Sequence, residues 1–393
     1  MSGGLIRTDA ARRGFRSPKI DAVVHFAPNT LVGERGSRSA ASVIRAKIAV
    51  VQSPVVSARM THKKDIAIFL LLVVLCAIVT ALNPRFLSPA NLQNTARLIG
   101  AFGIFSLGLG LVIITGGIDL SVGSSFALLG VLLSMMLTEW HLPWPLAVLV
   151  IVGLAALLGS VHGLLITRLR LQPFVVTLCG LLVYRGLARF IADDETKGFG
   201  DAAGFRTLQR LMTGSLFGVP TPFVAMAIIG VVMWVVLHRS VYGRHLFATG
   251  RNEVASRFSG IDVRRVIVST YVILGVLTGI SAIIFAFYTN SISPSSHGSF
   301  FELYGIAAAV LGGCSLRGGE GSIVGILLGT TLLQVLQNLV NLLGIPSSLN
   351  FAVMGGVILV GVVADQILQR RAARVSFRYL VESSCRTVVS SSS

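Results

Sequence analysis

The sequence predicts an all-α protein, a polytopic bundle of about ten transmembrane helices with both termini on the cytoplasmic side. Three observations predict it. Charged residues make up only 12% of the 393-residue chain and hydrophobic residues 53%, whereas a soluble domain carries about a quarter of charged residues. The apolar residues come in long blocks instead of amphipathic stripes, and the mean hydropathy is +0.81. Lipid cannot hydrogen-bond the backbone, so blocks of this kind read as spanning helices. Lys and Arg gather between and beyond the blocks, which is the placement that orients membrane helices. That placement also argues against nucleic-acid binding as the reason for the net charge of +17.

Residues 1–59 differ in character from the rest of the chain. They hold ten Lys and Arg against three acids and no run long enough to span. We read them as a basic, disordered extension and Met60 as the functional start, since Thr61-His62-Lys63-Lys64 leads straight into the first apolar block. A transit peptide or a membrane-surface tail is the alternative. Ten apolar blocks come next: 66–82, 98–115, 120–138, 145–166, 174–191, 219–237, 266–287, 304–315, 322–343 and 349–368. Most match the roughly 20 residues that cross ~30 Å of hydrocarbon. The eighth is short and Gly-rich and reads as a broken or re-entrant helix, tolerable only inside protein. Together, residues 60–368 form the membrane domain. The basic, Ser-rich tail 369–393 reads as a solvated cytoplasmic extension.

Orientation is set by the connections. With the first helix entering from the cytoplasm, fifteen Lys and Arg fall inside, six of them in the 238–265 connection. Five fall outside: Arg85, Arg97, Lys197, Arg206 and Arg210. The bias places both ends inside. Trp140 and Trp144 fit an interfacial belt, and Gly108, Gly110, Gly325 and Gly329 permit close helix contact. Cys76, Cys179, Cys314 and Cys385 show no metal-ligand spacing, so neither a disulfide framework nor a metal site is expected.

A phosphate-binding loop needs Gly-Lys-Ser/Thr, and none of the five lysines follows a glycine. No hydrolase or metalloprotease motif is present either, so the chain reads as a non-enzyme without a cofactor of its own. The sharpest segment is Ile114-Thr115-Gly116-Gly117-Ile118-Asp119-Leu120-Ser121-Val122-Gly123-Ser124. It places one carboxylate, with Ser121 beside it, in the otherwise uncharged stretch between Arg97 and Glu139. Such an acid is expensive in a membrane and is either a functional polar site or a cap on the next helix, two compatible readings. Leu311-Gly312-Gly313-Cys314-Ser315-Leu316-Arg317 echoes this segment, as a duplicated helical unit would.

Gly-Gly-Ile-Asp-Leu-Ser-Val-Gly-Ser at 116–124 resembles the signature of bacterial ABC permeases for simple sugars, the ribose, arabinose, xylose and autoinducer-2 group. Four further stretches match in order: Tyr184-Arg185-Gly186-Leu187-Ala188; Gly243-Arg244 through Gly250-Arg251-Asn252-Glu253-Val254-Ala255 to Ser259-Gly260-Ile261-Asp262-Val263; Leu311 through Gly321; and Asn338 through Gly344. The resemblance covers roughly 65–368. It implies a second permease subunit, as homo- or heterodimer, two ATPase domains docked inside that bind the ATP, and a periplasmic solute-binding protein, in the bacterial inner membrane. It also implies that the 238–265 loop couples to the ATPase. The residues agree: Asn252 to Phe258 forms a short helix with Gly250 before it and Gly260 after, and Gly250, Asn252, Glu253, Ala255 and Gly260 are the candidate coupling residues. Arg251 departs from the family's common Gly-Gly-Asn.

Gln334, Gln337, Asn338 and Asn341 lie at i, i+3, i+4 and i+7 of the ninth block, on one helical face. They line a wet path for sugar hydroxyls or bond helix to helix. Arg185 and Arg189 are expected to snorkel to the headgroups. Glu302 faces the docked binding protein or marks the interface. The expected function is therefore the permease subunit of an ATP-driven importer for a simple sugar. Its rivals are a permease for branched-chain amino acids or nucleosides, and an ion-coupled transporter. The last would need several intramembrane carboxylates or histidines, where the sequence supplies essentially Asp119 with His162.

Overall fold

A computed structural model describes residues 54–200, 202 and 204–346, with isolated positions at 349, 352, 353, 355, 356, 359 and 363. All but 54–57 belong to the second of two units, Ala58–Ser393. The basic extension 1–53, the body of the tenth block and the tail 369–393 lie outside the described residues.

The remaining nine blocks are all helices. Seven are long and apolar enough to cross a membrane: α1 (Pro54–Leu82, apolar from Asp65), α2 (Pro89–Ile114), α4 (Trp144–Arg168), α5 (Pro173–Ile191), α7 (Thr221–Arg239), α10 (Val263–Thr289) and α12 (Ile323–Leu342). Two are shorter, α3 (Val122–Thr138) and α11 (Phe301–Leu311). At 1.5 Å per residue, the 11 residues of α11 reach about half of a bilayer. The short-helix expectation for the eighth block thus holds, with the helix starting three residues earlier. Three helices were not expected as spans: α6 (Phe205–Thr213), α8 (Val241–Arg251) and α9 (Glu253–Phe258). A short 3₁₀ helix (Pro84–Leu87) and two small antiparallel ladders complete the described part, β1 (Lys197–Gly198) with β4 (Ser291–Ile292), and β2 (Ser215–Leu216) with β3 (Val219–Pro220).

Helix α2 is the centre. Every residue from Ile99 to Ile114 is buried, as befits a helix apolar on all sides. It packs against α7, α10, α11 and α12, with Ser88 capping its start and Pro89 at its first turn, the favoured place for proline. Helix α1 lies at the rim, with 11% of its apolar window buried.

Helix ends alternate between the two faces of the bundle. At one end Gly319 N–H donates to Ile114 O (2.8 Å), Ser322 Oγ to Asp65 Oδ2 (3.1 Å), and Gly250 lies against both Ile114 and Gly319. At the other, Lys197 meets Glu139, Gln209 Nε2 donates to Asn290, and Asn83 to Leu342 O. The basic 238–265 connection therefore shares an end with the loops after α2 and α11, as the charge count required.

Helices α4 and α10 run side by side because glycines remove the side chains between them. An added Cβ on Gly159 would overlap the Tyr271 carbonyl, and one on Gly275 the Ala155 carbonyl. Small residues are what let membrane helices approach so closely, since lipid offers no hydrophobic drive for it. Gly159→Ala is expected to lower thermal stability by about 1–3 kcal/mol. Gly153→Ala, where an added Cβ meets nothing within 4 Å, is expected to leave stability unchanged or raise it by about 0.5–1 kcal/mol. Melting curves of the two variants in one detergent check the contrast.

Candidate functional site

Two helices of the bundle start inside it, and the polar residues gather where they start. After α2, Gly116 turns the chain at φ +84°, a conformation glycine adopts without strain. The lead-in 118–121 then meets α5, held by Thr177 Oγ1 donating to Ile118 O at 3.2 Å. Asp119 closes a local turn. Its Oδ1 accepts from Ser121 N (2.8 Å) and Ser121 Oγ (2.7 Å). The cap reading is corrected in detail: the helix begins at Val122, its N-cap is Ser121 without a side-chain cap bond, and Asp119 orders the residue before the helix.

The second carboxylate oxygen does something else. Asp119 Oδ2 lies 3.6 Å from His162 Nδ1, an electrostatic contact longer than a hydrogen bond. His162 Nε2 meets Tyr184 Oη at 2.8 Å, and the two rings stack at 5.5 Å. With the imidazole proton on Nδ1, facing the carboxylate, Nε2 accepts from the tyrosine hydroxyl. Asp119 and His162 are each 3% exposed and Tyr184 7%, so the chain Asp119–His162–Tyr184 is buried. Gly180 makes room for it, since a Cβ there would come within 2.6 Å of His162 Nε2.

Arg185, next along α5, does not snorkel. Its guanidinium donates to Pro294 O (3.0 Å), His297 O (2.8 Å) and Gly123 O (3.4 Å). It thereby ties the loop 293–300 to the first turn of α3. Arg189, one turn on, is exposed and pairs with Asp194. Glu302, expected to face a docked binding protein or to mark the interface, is buried at 7% exposure. It sits in the first turn of α11 and accepts from the backbone N–H of Gly123, in the first turn of α3. One carboxylate thus serves two helix N-termini, whose partial positive charges favour it.

The amides of α12 belong elsewhere in the bundle, and none lines the cavity beside Asp119. Asn338 and Asn91 of α2 exchange a reciprocal amide pair at 2.8 and 3.1 Å, so Asn338 bonds helix to helix. Gln334 is buried, Gln337 is half-buried and Asn341 is exposed. Of the expected site residues, the structure brings Asp119 and Ser121 together, and adds Tyr184, Arg185 and Tyr271 to them. The signal for Tyr184 and Arg185 was their position in the 184–188 motif; nothing in the sequence marked Tyr271.

The 238–265 connection has the expected form. Asn252 caps α9, its Oδ1 accepting from Ala255 N–H at 2.9 Å, Glu253 pairs with Arg257 at 2.7 Å, and Gly260 ends the element at φ +81°. Ser240 and Asp262 cap the flanking helices in the same way. Outward, α9 leaves Val254 and Phe258 65% and 90% exposed. Inward, Gly250 leaves no room for a Cβ between it and Ile114 O or Gly319 N.

Removing the Tyr184 hydroxyl leaves His162 Nε2 without its donor. Tyr184→Phe is expected to cost on the order of 1 kcal/mol of stability, while Val183→Ala, an exposed neighbour, should cost less. Thermal unfolding of the two variants checks this.

Comparison with known proteins adds the family. Residues 91–362 match the family described as the permease component of the branched-chain amino acid transport system. The ribose import permease protein RbsC of Bacillus subtilis is 40% identical over 299 residues, covering 76% of this chain and 91% of that protein. RbsC of Escherichia coli K12 is 37% identical over 294 residues, 75% and 91% of the two chains. The autoinducer 2 import system permease protein LsrD of an Enterobacter species is 32% identical over 309 residues, 78% and 94%. Relatives of this kind place the sugar-permease motifs read from the sequence in a real lineage. The chain belongs to this family of importer permeases, in the company of its sugar-importing members.

Proposed function

We propose that the chain is the membrane-spanning permease subunit of an ATP-driven importer for a simple sugar or sugar-like solute. The observation that carries the mechanism is the seat of α8–α9. At Gly250, near the end of α8, the pair rests backbone to backbone on the segments after α2 and α11, and its outer side offers exposed Val254 and Phe258 among Arg244, Arg251 and Arg257. An apolar tip in a basic rim suits the cleft of a separate ATPase subunit. Closure of that partner would move α8–α9 and, through Gly250, the two helices whose ends it touches. Transport then results from the different affinity of the partners for two states of the bundle, with no covalent chemistry in this chain. The full assembly would hold a second permease subunit, two ATPase domains and a periplasmic binding protein, with both termini of this chain in the cytoplasm. The identities to ribose and autoinducer 2 permeases favour sugars over the amino acids in the family's description.

Changing Asn252 and Glu253 together to Ala is expected to remove the cap and first-turn acid of α9. ATPase turnover stimulated by the loaded binding protein should fall to near its basal rate in reconstituted vesicles, and undiminished stimulation would refute the coupling role. Asp119→Ala is expected to abolish uptake of radiolabelled ribose while the protein still inserts, checked by transport assay beside a membrane-fraction blot. Near-normal uptake would remove Asp119 from the site.

A further inference from the structure

The connection from α5 to α7 ends in a hairpin whose tip strains the backbone and packs against nothing in the chain. Ser215 pairs with Pro220 and Leu216 with Val219, which leaves Phe217 and Gly218 to make the turn at φ +51° and +83°. Two-residue turns with both φ values positive favour Asn-Gly or Asp-Gly, and a bulky aromatic at the first position is strained. Packing does not offset that cost, because Phe217 is fully exposed. Leu216 and Val219 beside it are 50% and 42% exposed, and a Cβ on Gly218 would meet nothing within 4 Å. A tip of this kind gains only from a neighbour outside the chain.

The level of the hairpin in the membrane identifies that neighbour. Helix α6 is tied at both ends to the first residues of spanning helices. Its N-cap, Gly204, lies so close to Trp144, the first residue of α4, that a Cβ would come within 2.4 Å of the indole ring. Just past its end, Gly214 O accepts from the N–H of Thr221, the first residue of α7, at 2.9 Å. Both spanning helices start on the face opposite the 238–265 connection, so α6 lies along that membrane surface. The 19 residues of α7 rise about 28 Å at 1.5 Å each, enough to fill the ~30 Å of hydrocarbon, which puts the hairpin at its boundary. Only 28% of the apolar window of α7 is buried, and Ile228, Val231, Val232 and Val235 are exposed, so the helix that follows the hairpin is itself lipid-facing. Arg206 and Arg210, one turn apart on α6, are exposed, with no Asp or Glu anywhere in 205–239.

We propose that α6 and the β2–β3 hairpin dock on the outer phospholipid leaflet, with Phe217 and Leu216 among the upper acyl carbons and Arg206 and Arg210 on headgroup phosphates. Aromatic rings favour this depth, and guanidinium forks suit phosphate oxygens. The seat pins the outer start of α7, whose other end continues through Ser240 into α8–α9. It holds whichever solute is carried.

Phe217→Trp keeps a ring at the tip and adds an emitter to Trp140, Trp144 and Trp234. With the full chain in phospholipid nanodiscs, the emission gained over the parent should be blue-shifted, strongly quenched by lipids brominated near the glycerol end of the acyl chain, and little affected by aqueous iodide. Quenching by iodide instead would place the tip in water, and quenching by neither would place it under protein, such as a second copy; either result overturns the proposal. Phe217→Asn adds a test of sign. Asn-Gly relieves the turn, so a tip in water would give an unchanged or higher melting temperature in nanodiscs and refute the lipid seat, whereas loss of that seat should lower it by a few degrees. The double variant Arg206→Gln, Arg210→Gln should retain fewer phospholipids per chain in native mass spectrometry, and unchanged retention would overturn the headgroup contact.

Discussion

Hydrocarbon cannot hydrogen-bond a helix end, and two helices of this bundle begin against each other, at Gly123 and Gly298. Everything polar in the interior answers that constraint. The opening turns of α3 and α11 meet head to head, with Gly298 against Gly123. Their free N–H groups share the Glu302 carboxylate, while Arg185 donates to the carbonyls of Pro294, His297 and Gly123. A planar guanidinium, with several donors in a fixed fork, suits that task better than an ammonium. The two side chains carry opposite charge, so the break is both hydrogen-bonded and close to neutral. Broken helices occur in membrane proteins only where protein supplies partners of this kind.

Much of this was legible in the sequence. Block length and apolarity gave nine helices because one physical requirement, internal satisfaction of the backbone over about 30 Å, leaves little freedom. Glycine, asparagine and aspartate around 250–262 gave the short α9 because caps and left-handed turns are local chemistry. Asp119 stood out because a lone acid is costly there. What failed was the direction of side chains whose partners lie far along the chain. Arg185 read as snorkelling since its acceptors are carbonyls more than a hundred residues away, and carbonyls leave no trace in composition. The regular spacing of the α12 amides left a wet path and helix-to-helix bonding both open, and only the structure pairs Asn338 with a single residue, Asn91, 247 positions earlier.

Packing obeys a second rule. Where helices must lie close, glycine stands on both sides: 159 and 275 between α4 and α10, 312, 325 and 329 between α11 and α12. Gly180 of α5 does the same for the Asp119–His162–Tyr184 chain, since a Cβ there would come within 2.6 Å of His162 Nε2. The buried polar chain is therefore a product of backbone proximity, and a methyl group in the wrong place would open it without touching any of its three members.

The seat of Gly250 has a mechanical meaning. Side chains at an interface act as springs, because they hop between rotamers and soak up small displacements before passing them on. Peptide planes pressed directly together have no such play. A shift of a few tenths of an ångström in the loop helices would therefore reach Ile114 and Gly319 almost undiminished, which under the proposed coupling makes this the place where force enters the bundle with little slack.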